Sequence, residues 1–205
     1  MLRRLLSFVV RWSGLLCVPG GALWALTPTG VYISNFAFHT PNVFWKLFWP
    51  APVLLLLGLI GLQLRQSDRS GLLQKIGFFV AALGLLMVTA GDIGLYWLGI
   101  DDMFIVTAPA YHTFRIGLIV LAVGSILFAV TSPRDGALPS WGLLPFVLGS
   151  LAGLISFSRD LGTFGAALWI LFGVGWAWLG FSLAVEGVTS YLRKRRSNKA
   201  APANP

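Results

Sequence analysis

Hydrophobic residues along the chain fall into six long runs, and short polar segments separate these runs. Each run extends over roughly 17 to 25 residues, the length that an α-helix needs to cross the hydrocarbon core of a bilayer. The alternation of apolar and polar residues that marks a membrane β-barrel does not occur. The pattern therefore predicts an all-α, polytopic membrane protein with six transmembrane helices. The predicted helices are Leu5–Leu26, Trp45–Leu64, Ile76–Leu98, Phe114–Val130, Trp141–Phe157 and Phe164–Val188.

Composition supports this fold class, since 57% of the 205 residues are hydrophobic and 11% are charged. An ordinary soluble domain carries about 25% charged residues, so this chain has too few charges to cover a soluble surface. A soluble enzyme and a disordered chain are therefore excluded, and the single cysteine excludes a disulfide scaffold. The net charge of +8 does not indicate a nucleic-acid partner, because such a protein needs a basic face on a soluble body.

The basic residues are divided unequally between the two ends of the predicted helices. Twelve lie at one end, whereas three, Lys46, Arg115 and Arg159, lie at the other. Basic residues concentrate on the cytoplasmic side of membrane proteins, so we expect both termini to be cytoplasmic. We expect a multi-pass protein of the cytoplasmic membrane, of the bacterial inner-membrane type, with a six-helix domain over residues 1–192. A basic, disordered cytoplasmic tail is expected over residues 193–205, close to the anionic headgroups of the lipid bilayer.

Two segments between the predicted helices are longer than the others and combine aromatic with polar residues. They are Thr27–Phe44 and Gly99–Thr113, and both lie on the side opposite the predicted cytoplasmic termini. Loops of this length often carry function, so a site is expected to open on that outer side. Within the first helix, the sequence Pro19-Gly20-Gly21 predicts a bend in the outer half.

Asp92 is the most informative polar residue, because it lies well inside the third predicted helix. A carboxylate at such a depth costs about 2.5 kcal/mol or more unless it is paired, protonated or in contact with water. One hypothesis is a ligand, proton or metal site that is approached from outside. A structural alternative is a carboxylate that caps a helix break made by Gly91 and Gly94. Another is a carboxylate that pairs with Arg115 or Arg159.

Four further polar residues are expected on the same outer side as Asp92, namely His39, His112, Asp101 and Asp102. Two imidazoles and a carboxylate, such as His39, His112 and Asp92, can hold zinc with an open position for water. That arrangement would suit hydrolysis of a lipid at the outer leaflet. No HExxH spacing is present, however, and histidines at membrane edges more often act as hydrogen-bonded anchors. Haem or a chlorophyll-type pigment would need histidines within the spans, so the absence of a cofactor is favoured.

The sixth predicted helix contains Trp176 and Trp178 in its middle, beside two glycines. Glycines beside large rings can form a groove for a lipid tail, a carotenoid or another helix, and ordinary packing within the bundle is the alternative. A GxxxG motif at Gly149–Gly153 permits close approach either inside the bundle or to another subunit. The sequence therefore allows a small apolar or lipid ligand and other membrane subunits as partners.

Motifs of catalysis and nucleotide binding are absent: the sequence contains no phosphate-binding glycine loop, no CxxC and no nucleophile elbow. We therefore favour a non-catalytic membrane protein that acts as a subunit or binding scaffold of a larger assembly. The first alternative is a solute-binding component of a transporter, whose outward-facing site lies between the two long loops and Asp92. The second alternative is the zinc-dependent lipid hydrolase. In size and helix count the chain resembles the substrate-binding membrane components of vitamin importers, and this resemblance assigns no residue.

Overall fold

The computed structural model describes the backbone of residues 2–37, 42–66, 71–98, 109–132, 140–158 and 162–200. Within these ranges it describes the side chains of residues 13–31, 43–64, 66, 71–98, 109–132, 143–158 and 164–185. The described residues form helices joined by turns, and no β-strand occurs among them. The helices are α1 (Leu2–Ala37), α2 (Asn42–Lys46), α3 (Pro50–Gln66), α4 (Leu72–Tyr96), α5 (Pro109–Thr131), α6 (Ser140–Ser158) and α7 (Gly162–Ala200).

Five mainly helical segments of the described chain are long and apolar enough to cross a membrane. A further helix, α6, is apolar over Leu143–Ser158 but is shorter. The prediction of an all-helical polytopic membrane protein is confirmed, with five full-length spans and one shorter apolar helix. The five segments are Ser13–Val31, Val43–Leu64, Leu72–Tyr96, Pro109–Thr131 and Phe164–Val185.

The first helix is longer than the hydrophobic pattern predicts. α1 continues beyond Leu26 to Ala37, so the predicted loop Thr27–Phe44 is wrong over much of its length. The hydroxyl of Thr27 donates a hydrogen bond of 2.9 Å to the carbonyl oxygen of Leu23 in the preceding turn. A hydroxyl that is satisfied inside its own helix can remain in an apolar environment, which explains why the polar residues do not end the helix.

Two prolines lie inside α1, at positions 19 and 28, and the helix continues through both. A proline removes one backbone hydrogen bond from a helix interior, and packing against neighbouring helices compensates for this loss in membrane proteins. Such packing is present beside Pro19, because a β-carbon at Gly21 would overlap the backbone of Gly173 in α7. The predicted bend at Pro19–Gly21 therefore does not interrupt the helix.

The second predicted span, Trp45–Leu64, is divided into two helices. A turn over residues 47–49 follows α2, and α3 begins at Pro50. The amide of Phe48 donates a hydrogen bond of 3.0 Å to the carbonyl oxygen of Trp45 within this turn. A proline is tolerated in the first turn of a helix, because the amide that it lacks would have no partner there.

The last helix extends further than the hydrophobic pattern predicts. α7 ends at Ala200, so residues 193–200 are helical where the sequence predicts a disordered tail. Lysine and arginine have high helix propensity, and no glycine or proline lies between Val188 and Ala200. The helix therefore has no local reason to end at the edge of the apolar run. Residues 201–205 lie outside the described part of the chain.

The six long helices pack in a ring that follows their order in the chain. α1 contacts α3, the series continues through α4, α5 and α6 to α7, and α7 closes the ring against α1. Neighbouring helices are antiparallel, as the hydrogen bond from Gln74 near the start of α4 to Gln66 at the end of α3 illustrates. We call the end of the bundle that contains these two residues the glutamine end. The opposite end, which contains Trp24, Trp45 and Trp169, is called the aromatic end.

Glycines bring four neighbouring pairs of the six long helices into close contact. A β-carbon at Gly91, for example, would lie 2.6 Å from the backbone nitrogen of Phe114, so no larger residue fits without a shift of one helix. Close approach through small residues is the main source of helix association in lipid. These glycines are Gly77, Gly84, Gly91, Gly94, Gly117 and Gly124 between α4 and α5; Gly14, Gly21, Gly173 and Gly180 between α1 and α7; Gly20 and Gly58 between α1 and α3; and Gly149, Gly153 and Gly175 between α6 and α7.

The other two contacts of the ring, α3–α4 and α5–α6, differ from these four. They contain no such glycine among the described residues, and they are the least extensive contacts of the ring. The α4–α5 contact is the most extensive. The bundle therefore consists of a tightly packed α4–α5 pair, which we call the hairpin, and a body formed by α1, α2, α3, α6 and α7. We call the surface where the hairpin meets the body the boundary.

Candidate functional site

Asp92 is buried inside the ring, and the structure gives it no partner. It lies in α4, one helical turn before the end of that helix at Tyr96, and its exposed fraction is 0%. Neither carboxyl oxygen has a hydrogen-bond partner. The great majority of buried polar groups in proteins have at least one such partner. An unpartnered carboxyl group inside a membrane helix therefore marks a candidate functional site.

The two structural explanations that the sequence offers for Asp92 do not account for it. Helix α4 is continuous up to Tyr96, so Asp92 does not cap a helix break. Gly91 and Gly94 instead receive the backbone and side chains of α5. Arg115 is half-exposed, and it does not satisfy the carboxyl group, whose oxygens have no partner. The other proposed partner, Arg159, lies outside the described residues.

Aromatic rings from six helices and from the turn before α3 form a connected group at the aromatic end, which we call the aromatic cluster. Trp169 lies at its centre, with its ring centroid 4.9 to 6.4 Å from the centroids of five other rings. Offset-stacked and edge-to-face arrangements at these distances are the favourable geometries for aromatic pairs. The members are Trp24, Trp45, Phe48, Tyr96, Phe114, Phe157, Trp169 and Phe172.

Asp92 lies directly beside this cluster. Tyr96 follows it by four residues in α4, so the two side chains lie on the same face of the helix, one turn apart. Phe114 packs against Gly91, the residue that precedes Asp92. Both rings belong to the aromatic cluster, so Asp92 lies one turn deeper than Tyr96 and at about the level of Phe114.

Two pairs of parallel rings cross the boundary at this level. Tyr96 of the hairpin stacks on Trp45 of the body, with ring centroids 5.5 Å apart and an interplanar angle of 5°. Phe114 of the hairpin stacks on Trp169 of the body, with centroids 6.4 Å apart and an angle of 21°. The boundary near Asp92 is therefore formed by the faces of aromatic rings on both sides.

Hydrogen-bond donors without partners lie in the same interior. The indole nitrogens of Trp24, Trp169 and Trp176 are buried and form no hydrogen bond. A buried tryptophan normally finds an acceptor for its N–H group. The interior thus offers, among other unpartnered polar atoms, the carboxyl group of Asp92 as an acceptor and these three indole groups as donors. Such an arrangement can bind a polar molecule that supplies both the missing donor and the missing acceptor.

Trp176 and Trp178 do not line a common groove. Trp176 is fully buried, and its ring lies 4.8 Å from that of Phe146 in an edge-to-face contact. Trp178 is 40% exposed on the outside of the ring of helices. The glycines beside them face other helices, since a β-carbon at Gly173 would lie 2.6 Å from the backbone nitrogen of Ala25. For Trp176 the structure shows packing within the bundle, which is the alternative that the sequence leaves open.

The predicted metal-ligand set is only partly visible. His112 lies in the first turn of α5, where it is exposed and its ring contacts that of Tyr111 at 5.9 Å. Asp92, in contrast, is fully buried. Among the described residues no group of three or more His, Cys, Asp or Glu side chains could hold a metal ion. His39, Asp101 and Asp102 lie outside the described residues, so zinc binding by the complete set stays a prediction.

A second polar group, at the glutamine end, was not anticipated from the sequence. The amide nitrogen of Gln74 donates hydrogen bonds to the side-chain oxygen of Gln66 and, over 3.5 Å, to the hydroxyl of Ser132. All three side chains are buried, and they connect α3, α4 and the residue that directly follows α5. The sequence pattern that could have predicted this polar group is the pair of glutamines at the ends of adjacent apolar runs, because such side chains often form hydrogen bonds between membrane helices.

No protein-family model matches the chain, and neither a characterised protein nor a solved structure matches it. The chemistry of the described residues must therefore carry the functional inference. It consists of a buried carboxyl group without a partner, indole donors without partners, and stacked rings at the boundary.

Proposed function

We propose that the chain is a solute-binding membrane protein, acting as a component of a transport system, and that it holds a small polar solute at Asp92. The observation that carries this proposal is the fully buried carboxyl group whose two oxygens have no partner. A carboxylate that stayed unpartnered in a membrane helix would lower the stability of the folded protein by several kcal/mol, because no interaction would offset its desolvation. A solute that supplies donors or positive charge removes this cost when it binds.

The boundary supplies a route to this site. The hairpin is held together by glycine contacts along its length, whereas its contacts with the body through α3 and α6 are the least extensive of the ring. Movement of the hairpin as one unit would separate Tyr96 from Trp45 and Phe114 from Trp169, and it would uncover Asp92. Rigid movement of one packed unit against another around a central site is the usual mode of action in transport.

The aromatic end faces the outside of the cytoplasmic membrane in this proposal. The basis is the distribution of basic residues, twelve of which lie at the opposite end of the helices or in the terminal segments. Asp92 is nearer to the aromatic end, so the solute enters from the outside. Both termini are then cytoplasmic.

A scaffold within a larger assembly, the function that the sequence favours, stays a prediction. The glycines that could have formed an external docking surface face other helices of the same chain, including both glycines of the Gly149–Gly153 motif. No contact of the described residues favours the hydrolase. Solute binding is therefore the function that the geometry supports best.

Mass spectrometry of the purified protein tests the proposal. The protein would be extracted in mild detergent, washed and denatured, and the released small molecules would be compared among the wild type, Asp92→Asn and Asp68→Asn. Asp68→Asn makes the same chemical change in a predicted loop. We expect a solute that is retained by the wild type and by Asp68→Asn but not by Asp92→Asn. Equal retention in all three proteins, or retention in none while another membrane protein co-purifies in fixed ratio, would contradict solute binding and support the scaffold.

A further inference from the structure

We infer that the solute is a small organic cation that also carries a hydrogen-bond acceptor, held by Asp92 and by the ring faces at the boundary. This inference rests on the proposed function and specifies its ligand. It follows from three features of the site, which are the charge of its carboxyl group, the faces of its aromatic rings and the indole N–H groups that lack an acceptor.

The carboxyl group of Asp92 determines the sign of the charge that the solute carries. Among the described acidic and basic side chains, Asp92 is the one that is buried. Lys46 and Lys75 are exposed and Arg115 is half-exposed, so no described basic residue shares the interior with it. A cation that enters this interior therefore gains an ion pair with a carboxylate that has no competing partner. An anion would be repelled by the same carboxylate, with no described basic side chain beside it to offset the repulsion.

The aromatic rings favour the same charge. The face of an aromatic ring is electronegative, and a cation within about 6 Å of the ring centroid is attracted to it, most strongly by tryptophan. The pairs Trp45–Tyr96 and Trp169–Phe114 are already nearly parallel. Separation of the hairpin from the body would leave two opposed ring faces in each pair, and an alkylammonium group could lie between them. A metal ion or free ammonium would lose more hydration there than an alkylated cation, because aromatic faces cannot replace its water ligands.

The unpartnered indole N–H groups indicate a second functional group on the ligand, a hydrogen-bond acceptor. Trp24 and Trp169 stack on each other with centroids 5.7 Å apart, and the N–H group of each lacks an acceptor. A carboxylate or carbonyl oxygen on the ligand would satisfy one or both of them. The chemistry of the site therefore corresponds to a zwitterion or an acylated amine.

Three probes of nearly the same shape separate these contributions. Glycine betaine carries both a trimethylammonium group and a carboxylate, tetramethylammonium carries the cation alone, and 3,3-dimethylbutanoate is the carbon isostere of betaine that lacks the cation. Binding of each would be measured by isothermal titration calorimetry on the full chain in lipid nanodiscs. We expect betaine to bind most tightly, tetramethylammonium to bind more weakly, and dimethylbutanoate to bind at least about tenfold more weakly than betaine.

Three variants test which residues are responsible for binding of the probes. Asp92→Asn should weaken the binding of betaine and of tetramethylammonium at least about tenfold, because it removes the charge of the side chain and retains its shape. Trp169→Phe keeps a ring face but removes the indole donor, so it should weaken betaine more than tetramethylammonium. Trp178→Phe makes the same change on the outside of the bundle and should alter neither. Circular dichroism and size-exclusion profiles that match the wild type would show that each variant is folded.

The outcomes distinguish this inference from the proposed function. Dimethylbutanoate that binds as tightly as betaine, or cation binding that Asp92→Asn does not weaken, would overturn the inference. Failure of all three probes would overturn it as well. In each of these cases the proposed function survives if the wild type retains an Asp92-dependent solute of another class in the co-purification experiment. If it retains none, both fail.

Discussion

The α4–α5 contact and the α3–α4 contact connect the same helix to its two neighbours in different ways. Along the first, Gly77, Gly84 and Gly91 recur every seventh residue, and each meets the backbone of α5. Along the second, no described glycine brings the backbones together, and specific polar bonds lie at one end and just beyond the other. At the glutamine end, Gln74 bonds Gln66, and beyond the aromatic end the indole N–H of Trp97 donates over 3.1 Å to the carbonyl oxygen of Lys46 in α2, the short helix before α3.

The proposed opening of the boundary depends on this difference between the two contacts. Lipid tails are as apolar as leucine, so helices are held together by the closeness and length of their contact and not by a hydrophobic force. A glycine contact that is repeated over several turns prevents the two helices both from sliding along each other and from separating. A contact held at its ends by a few polar bonds can be broken one bond at a time. The buried carboxyl group of Asp92 lies beside the second kind of contact.

The largest expected effect comes from filling the α4–α5 contact. The side chain of Gly84→Leu would collide with the backbone of Leu121, which cannot move without a shift of all of α5. Overpacking of this kind costs typically 1–3 kcal/mol, and we expect about 3 kcal/mol here. The thermal midpoint in detergent, followed by tryptophan fluorescence, should fall by about 6–12 °C.

Gly71→Leu is the matched control for this substitution. Gly71 precedes α4 and is exposed, and a β-carbon there would meet no atom within 4 Å. Its thermal midpoint should stay within about 2 °C of the wild type, because surface substitutions usually change stability by less than about 0.5 kcal/mol. Equal losses in both variants would show that the glycine contacts do not hold the hairpin together.

The sequence predicts the spans of this fold well because the bilayer fixes the length of each apolar run. It predicts their ends less well, since the end of a helix depends on local bonding. The hydroxyl of Thr27, which bonds inside α1, belongs to a polar segment that hydropathy assigns to a loop. The seven-residue spacing of Gly77, Gly84 and Gly91 is visible in the sequence, but which helix these glycines meet depends on the order of helices around the ring.

The candidate site could be predicted in part for the same reason. The depth of Asp92 in an apolar run is a property of the sequence, and it marks the residue without any structure. Its lack of a partner is not, because the sequence also offers Arg115 and Arg159 as possible partners for the carboxyl group. The aromatic cluster consists of residues from six helices, so no local sequence pattern predicts it.

An intermediate effect is expected from the bond at the glutamine end of the α3–α4 contact. Gln66→Leu or Gln74→Leu should each lower the free energy of unfolding by about 1 kcal/mol, because each leaves the other side chain buried without its partner. The double variant should cost about 1.4 kcal/mol, less than the sum of the two single losses, since it removes both polar groups. A double-mutant cycle from thermal or denaturant unfolding should give a coupling of about 0.6 kcal/mol, as for other hydrogen bonds in membrane helices. Fully additive losses would show that the two side chains do not interact.

The smallest effect on stability is expected at the aromatic end, where it tests whether the boundary opens. Trp97→Phe keeps a ring but removes the hydrogen bond to the carbonyl oxygen of Lys46, and this bond is exposed, so stability should fall by about 0.5 kcal/mol. The same free energy would raise the population of an open boundary about twofold. Amide hydrogen exchange in the last turn of α4, beside Asp92, should therefore become about twofold faster, whereas Trp178→Phe, on the outside of α7, should leave it unchanged. Faster exchange throughout α4 and α5 in Trp97→Phe would instead mean that the hairpin loosens internally, and the distinction between the two kinds of helix contact would then fail.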